Sequence, residues 1–119
     1  MVSYDTKRGY NMADESQINS FLQDVKNADY IDFVPTEKNR QTRLSIGMTA
    51  PEQEEIVRKL KIKEYYSGPF KDKDLARTGM VWIFKHYCKK NLLYIKLKEK
   101  IIVEGITVIK CLSCHIDHM

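Results

Sequence analysis

Residues 92–115, LLYIKLKEKIIVEGITVIKCLSCH, decide the fold. β-Branched, aliphatic and aromatic residues alternate here with lysine, serine and threonine, the period-two pattern of half-buried strands. Glu104-Gly105 lies between two such runs and suits a two-residue hairpin turn, although Asp-Gly is the stronger form of that signal. With the turn placed there, Val103 faces Ile106, Lys98 faces Cys111, Leu97 faces Leu112, Lys96 faces Ser113 and Tyr94 faces His115. Side chains alternate between faces along a strand. Ile95, Leu97, Leu112 and Cys114 therefore form a core face, and Tyr94, Lys96, Lys98, Cys111, Ser113 and His115 a polar one. A slip of one residue exchanges the faces, and the apolar character of the first set fixes the register.

Working outward, MVWIFKHY (80–87) is a further strand, joined to the first through CKKN (88–91), which brings Lys85 opposite Tyr94. Upstream the period changes. DESQINSFLQDVKNA (14–28) places Ile18, Phe21, Leu22 and Val25 at helical spacing, with Asp14 or Ser16 as the cap. YIDFVP (30–35) is a short extended segment stopped by Pro35. KNRQTRLSIGM (38–48) is basic and reads as a loop or a half-turn. Thr49-Ala50-Pro51-Glu52 is a capping box, opening a second helix that runs to about Lys61 with Ile56, Val57, Leu60 and Ile62 on its apolar side. Tyr65–Pro69 reads as a turn, Lys71–Asp74 as a polar loop, and residues 1–12 as a loose arm. The expected architecture is a single α+β domain over residues 1–119, with two N-terminal helices packed on a C-terminal antiparallel sheet of at least three strands.

Hydrophobic residues make up 43% and charged residues 30% of the 119 positions, an ordinary globular mixture. No apolar run approaches the ~20 residues that span a bilayer. The N-terminal stretch has no apolar core of a secretory signal, so the expected location is the cytoplasm, with no membrane association and with reduced cysteines. The net charge of +4 is unevenly spread: residues 1–60 hold 8 basic and 10 acidic side chains (−2), and residues 61–119 hold 12 and 6 (+6). A basic C-terminal half is a footprint for phosphate or an acidic partner, and equally for a well-solvated sheet.

Cys111-Leu112-Ser113-Cys114-His115 spells the haem-attachment pattern, and with His118 a zinc clip. Regular alternation sends the two cysteines to opposite faces, and no Gly or Pro between Thr107 and His115 breaks the strand. The second ligand pair of the usual zinc pattern is missing, and haem attachment requires export. No metal and no cofactor are expected.

The polar face offers Tyr, Lys, Ser and His without a carboxylate, which suits an anionic substrate. Cleavage of RNA by its own 2′-hydroxyl needs a base, an acid and positive charge at the phosphate. His115 can serve as base or acid, Tyr94 can position or donate a proton, and Lys96 can stabilise the extra charge. Lys85, Lys98, Ser113 and Tyr66 complete an RNA-binding surface. Alternating lysines on a sheet also serve solvation alone. Nucleophile-elbow, phosphate-loop and zinc-protease motifs are not found.

Tyr65-Tyr66, Trp82, Tyr94-Ile95-Lys96-Leu97 and Cys111–His115, following the helix that opens at Thr49, resemble the MqsR-like toxins of type II toxin–antitoxin systems, members of the RelE-like group. The resemblance covers roughly residues 49–115. It implies a small α+β toxin that cleaves mRNA and is neutralised by a cognate antitoxin, with the ribosome as a further partner. By position, the family's Tyr-x-Lys falls on Tyr94 and Lys96, and its functional strand-end lysine on His115. Two positions depart: Ser67 stands where the family has lysine, and Ile83 where it has glutamine. The alternative function is a non-catalytic RNA- or protein-binding module that uses the same basic face.

Overall fold

Helix α1 (Glu15–Asn27) starts on a reciprocal cap. The Gln17 backbone N–H donates to the Asp14 carboxylate at 2.8 Å, and the Asp14 N–H donates back to the Gln17 side chain at 3.0 Å. Ile18, Phe21, Leu22 and Val25 face the core from this helix, as their spacing predicts. The computed structural model describes residues 3–5, 10–72 and 79–117. Within these, Ser3–Asp5 (β1) and Tyr10–Met12 (β2) pair antiparallel, so the expected loose arm carries a small ladder of its own.

The architecture is α+β, with two corrections to the expected arrangement. The first is an additional helix. After Tyr30–Phe33 (β3) come α2 (Glu37–Ile46) and α3 (Ala50–Arg58). The α3 cap is the one read from sequence: Glu52 N–H donates to Thr49 Oγ1 at 3.2 Å and Thr49 N–H to Glu52 Oε1 at 2.9 Å. Helix α2 has almost no apolar face, because the side chains that it buries are Asn39 and Thr42.

The second correction concerns the sheet. It has six strands, β3, β4 (Tyr65–Lys71), β5 (Met80–Cys88), β6 (Asn91–Lys98), β7 (Ile101–Val103) and β8 (Ile106–Ile116), in the order β3-β8-β6-β5-β4 with β7 also on β8. It is mixed, since β3 runs parallel to β8. Residues 65–69, expected as a turn, belong to β4. There Gly68 (φ +112°) lies so close to β5 that a Cβ would sit 2.7 Å from the Val81 carbonyl oxygen. The long run 92–103 splits after Lys98. Glu99 turns back to β5, its N–H donating to Met80 O at 2.9 Å and its carboxylate accepting from Trp82 Nε1 at 3.2 Å.

Both hairpin turns fall where the sequence places them. Lys89-Lys90 and Glu104-Gly105 have positive φ at both central positions, the primed geometry that matches strand twist. The pairs Tyr94↔His115, Lys96↔Ser113, Val103↔Ile106 and Lys85↔Tyr94 also hold. Between Lys96 and Leu97 the ladder shifts: Leu97 pairs with Cys111, and Leu112 is the extra residue of a β-bulge. Cys111 consequently turns into the core, fully buried, while Leu112 leaves the core cluster and is partly exposed. The expected placements of these two residues are thereby reversed.

One face of the sheet takes α1 and α3. Phe21 stacks on Trp82 with ring centroids 4.7 Å apart and interplanar angle 5°, and on Phe84 at 6.0 Å. Arg58 of α3 closes the C-terminal end of α1, donating to the carbonyls of Lys26 at 3.1 Å and Ala28 at 2.8 Å while paired with Glu54 at 3.0 Å. Helix α2 seals the edge of β8 beyond β3. Cys114 N–H donates to Asn39 Oδ1 at 2.9 Å, and Ile116 N–H to Thr42 Oγ1 at 3.0 Å.

Asn39 also donates to Val34 O at 2.9 Å, so its amide holds two backbone groups from a buried position. Asn39→Ala strands the Cys114 N–H, whereas Val34 O keeps the Thr36 N–H at 2.9 Å, and should cost about 1–3 kcal/mol in urea denaturation. An equal stability for mutant and wild type would contradict the edge-sealing role. The helix caps predict an acid response. The Gln17 N–H holds the Asp14 carboxyl below its ordinary value, Arg40 does the same for Glu37, and the Thr49 N–H for Glu52. Lowered folded-state values favour folding where the carboxylates are ionised, and that contribution fades as pH falls through the folded values. Thermal denaturation should show Tm dropping on the acid side of the carboxylate range, with a shallower drop for Glu52→Gln.

Candidate functional site

The face of the sheet opposite the helices carries the residues singled out in the sequence. Tyr66, Lys85, Tyr94 and His115 come from β4, β5, β6 and β8 and cross the sheet as a row, which at ordinary strand spacing extends about 14 Å. Strand alternation on β5 makes the row possible. Trp82, Phe84 and His86 point to the helix side, where His86 Nδ1 contacts Glu64, leaving Lys85 on the open side.

At one end of the row the Tyr94 and His115 rings stack, with centroids 5.4 Å apart and planes 19° from parallel. His115 Nδ1 lies 2.9 Å from the Ile116 carbonyl oxygen. A carbonyl only accepts, so Nδ1 carries the proton, and in the neutral ring Nε2 is left as the acceptor. Lys96 and Ser113, paired with one another across β6 and β8, lie two residues further along, about 7 Å away. Among the described residues Lys96 has no ion-pair partner, which leaves its ammonium available to an anion.

The other cations are committed. Lys85 Nζ sits 4.0 Å above the centre of the Tyr66 ring and 3.0 Å from an Asp117 carboxylate oxygen. Lys98, expected beside Lys96 as a binding residue, is buried and pairs with Asp72 at 3.3 Å. Asp117 corrects the expectation of a face without carboxylates. Its N–H donates to Leu92 O at 2.8 Å, which continues the β6–β8 register past Ile116. Extending the hairpin two positions beyond His115 finds it, because 115 and 117 share parity.

The two family departures lie in the adjacent row. Ser67 is buried and pairs with Ile83, which in turn pairs with Lys96. An apolar and a small side chain therefore occupy the ground between Lys96 and β4. A cleft of about 470 Å³ lined by Lys63, Tyr66, Lys85, Tyr87 and Leu92 opens at the Lys85 end of the row. A larger hollow, of about 630 Å³, lies elsewhere, between β3 and α3. Tyr94, Lys96 and His115 are themselves half-buried.

Cys111 and Cys114 both face the core, so strand alternation does not separate them. Among the described residues, however, no three His, Cys, Asp or Glu side chains converge as metal ligands. His118, the third member of the zinc reading, lies outside the described residues. No helix among them is long and apolar enough to cross a membrane. Compared with known proteins, the chain matches no family model, no curated relative and no solved structure.

The Lys85–Asp117 pair gives the surface a measurable electrostatic signature. Asp117→Asn frees one cation and removes one repulsive charge. Affinity for short single-stranded DNA should rise, and the slope of log affinity against log salt should steepen by about 0.7. Fluorescence anisotropy over a salt series measures both, and an unchanged slope would place Lys85 outside the anion-binding surface.

Proposed function

We propose that this protein is a metal-independent endoribonuclease acting on mRNA, the toxin of a toxin–antitoxin pair. One observation carries the reading: His115, whose Nε2 is left as the acceptor, stacks on Tyr94 on a half-buried face where Lys96 has no ion-pair partner among the described residues. The toxin assignment rests further on the resemblance of residues 49–115 to MqsR-like proteins. In this scheme His115 Nε2 takes the proton of a ribose 2′-hydroxyl, and O2′ attacks the adjacent phosphorus. Lys96 stabilises the added negative charge as the phosphorane forms. Tyr94 orients the imidazole by stacking and supplies the proton to the departing O5′. The products are a 2′,3′-cyclic phosphate and a 5′-hydroxyl, and the nucleophile comes from the substrate, which restricts the reaction to RNA. Tyr66, Lys85 and Ser113 flank the path of the chain. The expected partners are a cognate antitoxin laid over this basic face and the ribosome that presents the mRNA, in the cytoplasm.

The commitment of Lys85 to Asp117 favours a second reading, a non-catalytic RNA- or protein-binding module, since one of the row's two lysine-bearing strands presents a neutralised charge. Incubation of purified protein with RNA in EDTA separates the two. The nuclease yields cyclic-phosphate ends, whereas the module retains intact RNA. His115→Ala should lower the cleavage rate about 10²–10⁴-fold and Lys96→Ala by a comparable factor, both with unchanged unfolding midpoints. Tyr94→Phe keeps the stack and loses only the hydroxyl, so it should retain RNA binding while cleavage falls. Wild-type rates in all three variants would overturn the site.

A further inference from the structure

The cleft of about 470 Å³ at the Lys85 end of the row has walls that the proposed chemistry leaves unused. Tyr87 pairs with Leu92 across the β5–β6 hairpin, so an aromatic ring and an aliphatic side chain stand side by side in its lining. Parity puts both on the face that carries Lys85 and Tyr94. Tyr87 is 74% exposed, more than any other large hydrophobic side chain among the described residues. A tyrosine mounted on a strand and left uncovered is a π-surface ready for a planar ligand. Cations sit around the same cleft. Lys63, in the 3₁₀ turn Ile62–Glu64 that leads into β4, is exposed and has no ion-pair partner among the described residues. Lys85 lies over the Tyr66 ring, and the carboxylate in the lining, that of Glu64, is engaged by His86. The volume falls in the range of about 300–1,000 Å³ that holds small organic groups.

We infer that this cleft is a base-binding slot, which takes one nucleobase of a single-stranded RNA, stacked on Tyr87 beside Leu92, with Lys63 and Lys85 on the flanking phosphates. An exposed ring together with cations matches an unpaired nucleotide, whereas an acidic peptide would draw on the lysines alone. Tyr66 is not the stacking surface, because the Lys85 ammonium occupies one face of its ring at 4.0 Å. Stacking reads no hydrogen-bond pattern, so the slot accepts any base and favours purines for their larger rings. Nor does it need a 2′-hydroxyl, so DNA fills it as RNA does. Strand β5 lies two strands from β8, which puts the slot about 10 Å from His115. A nucleotide held there flanks the bond to be cut. That role in cleavage rests on the endoribonuclease reading, whereas the binding of a base does not.

The test uses the full-length protein and oligodeoxyadenylate, which has no 2′-hydroxyl and is not cut, with 2-aminopurine in place of one adenine. Binding to the wild type should raise the anisotropy of the probe and quench its fluorescence by stacking. Tyr87→Ala should lose the quenching and weaken binding about 5- to 100-fold, whereas Tyr87→Phe, which keeps the ring, should retain both. Lys63→Ala should make the slope of log affinity against log salt shallower by about 0.7, and Tyr87→Ala should leave the slope unchanged. Matching unfolding midpoints check that these surface variants fold as the wild type does. Unchanged affinity in Tyr87→Ala, or an equal loss in Tyr87→Phe, overturns the slot. Weakening by Lys63→Ala alone marks a plain anion site, of the kind an acidic peptide would use, and overturns it too. In RNA cleavage, Tyr87→Ala should raise the half-saturating RNA concentration by the same factor and leave the maximal rate unchanged. Ring-dependent binding by a wild type that never cleaves RNA counts against the nuclease reading alone. Cleavage with unchanged half-saturation in Tyr87→Ala counts against the slot alone.

Discussion

Strand β8 presents more backbone donors and acceptors than neighbouring strands can satisfy, and much of the molecule is arranged around that constraint. Its antiparallel partners β6 and β7 take one edge. On the other, β3 pairs only as far as Cys111, and the Val34 N–H reaches the Cys111 carbonyl at 3.0 Å. Past that point the buried N–H groups of Cys114 and Ile116 need acceptors, since an unpaired buried amide costs as much as a lost hydrogen bond. Asn39 and Thr42 supply them from α2. A helix thus completes a strand edge, and the same contact shields that edge from pairing with another chain.

This arrangement explains which parts of the fold were legible in the sequence. Helices α1 and α3 bury apolar residues at helical spacing and open on side-chain caps, so both period and punctuation announce them. The turns at Lys89-Lys90 and Glu104-Gly105 were found because the flanking strands alternate. Helix α2 defeats a hydrophobic-period reading because it is buried through polar side chains, and Asn39 and Thr42 look like surface residues. Strand β4 was missed for a related reason: Gly68-Pro69 reads as a turn, yet the glycine is there for its close approach to Val81. The parallel placement of β3 depends on a crossover through most of the chain, which no local pattern encodes.

For the candidate site, register carried the prediction a long way. Tyr94, His115, Lys96, Ser113 and Lys85 share the face that hairpin counting assigns to them. Counting could not show which cations are free, because that depends on groups remote in sequence. Lys98 meets Asp72 from the β4–β5 connection, and Lys85 meets Asp117 from beyond the end of β8. Three lysines that look equivalent by alternation are thereby sorted into one open charge and two compensated ones. The difference matters for a phosphate ligand, which gains most from the ammonium that has no carboxylate to leave. In the proposed function, it puts the chemistry at the Tyr94–His115 end of the row.

The bulge at Leu112 links the two sides of the sheet. Without it, Cys111 would stand on the polar face and the segment would be an unbroken strand with a single buried thiol. With it, β8 carries a thiol pair on one face and an imidazole stack on the other within five residues. Bulges leave one residue outside the ladder and increase local twist, which is how residues of one strand come to serve both faces here. Asn39 grips the Cys114 N–H from the helix side, between the thiol and the histidine.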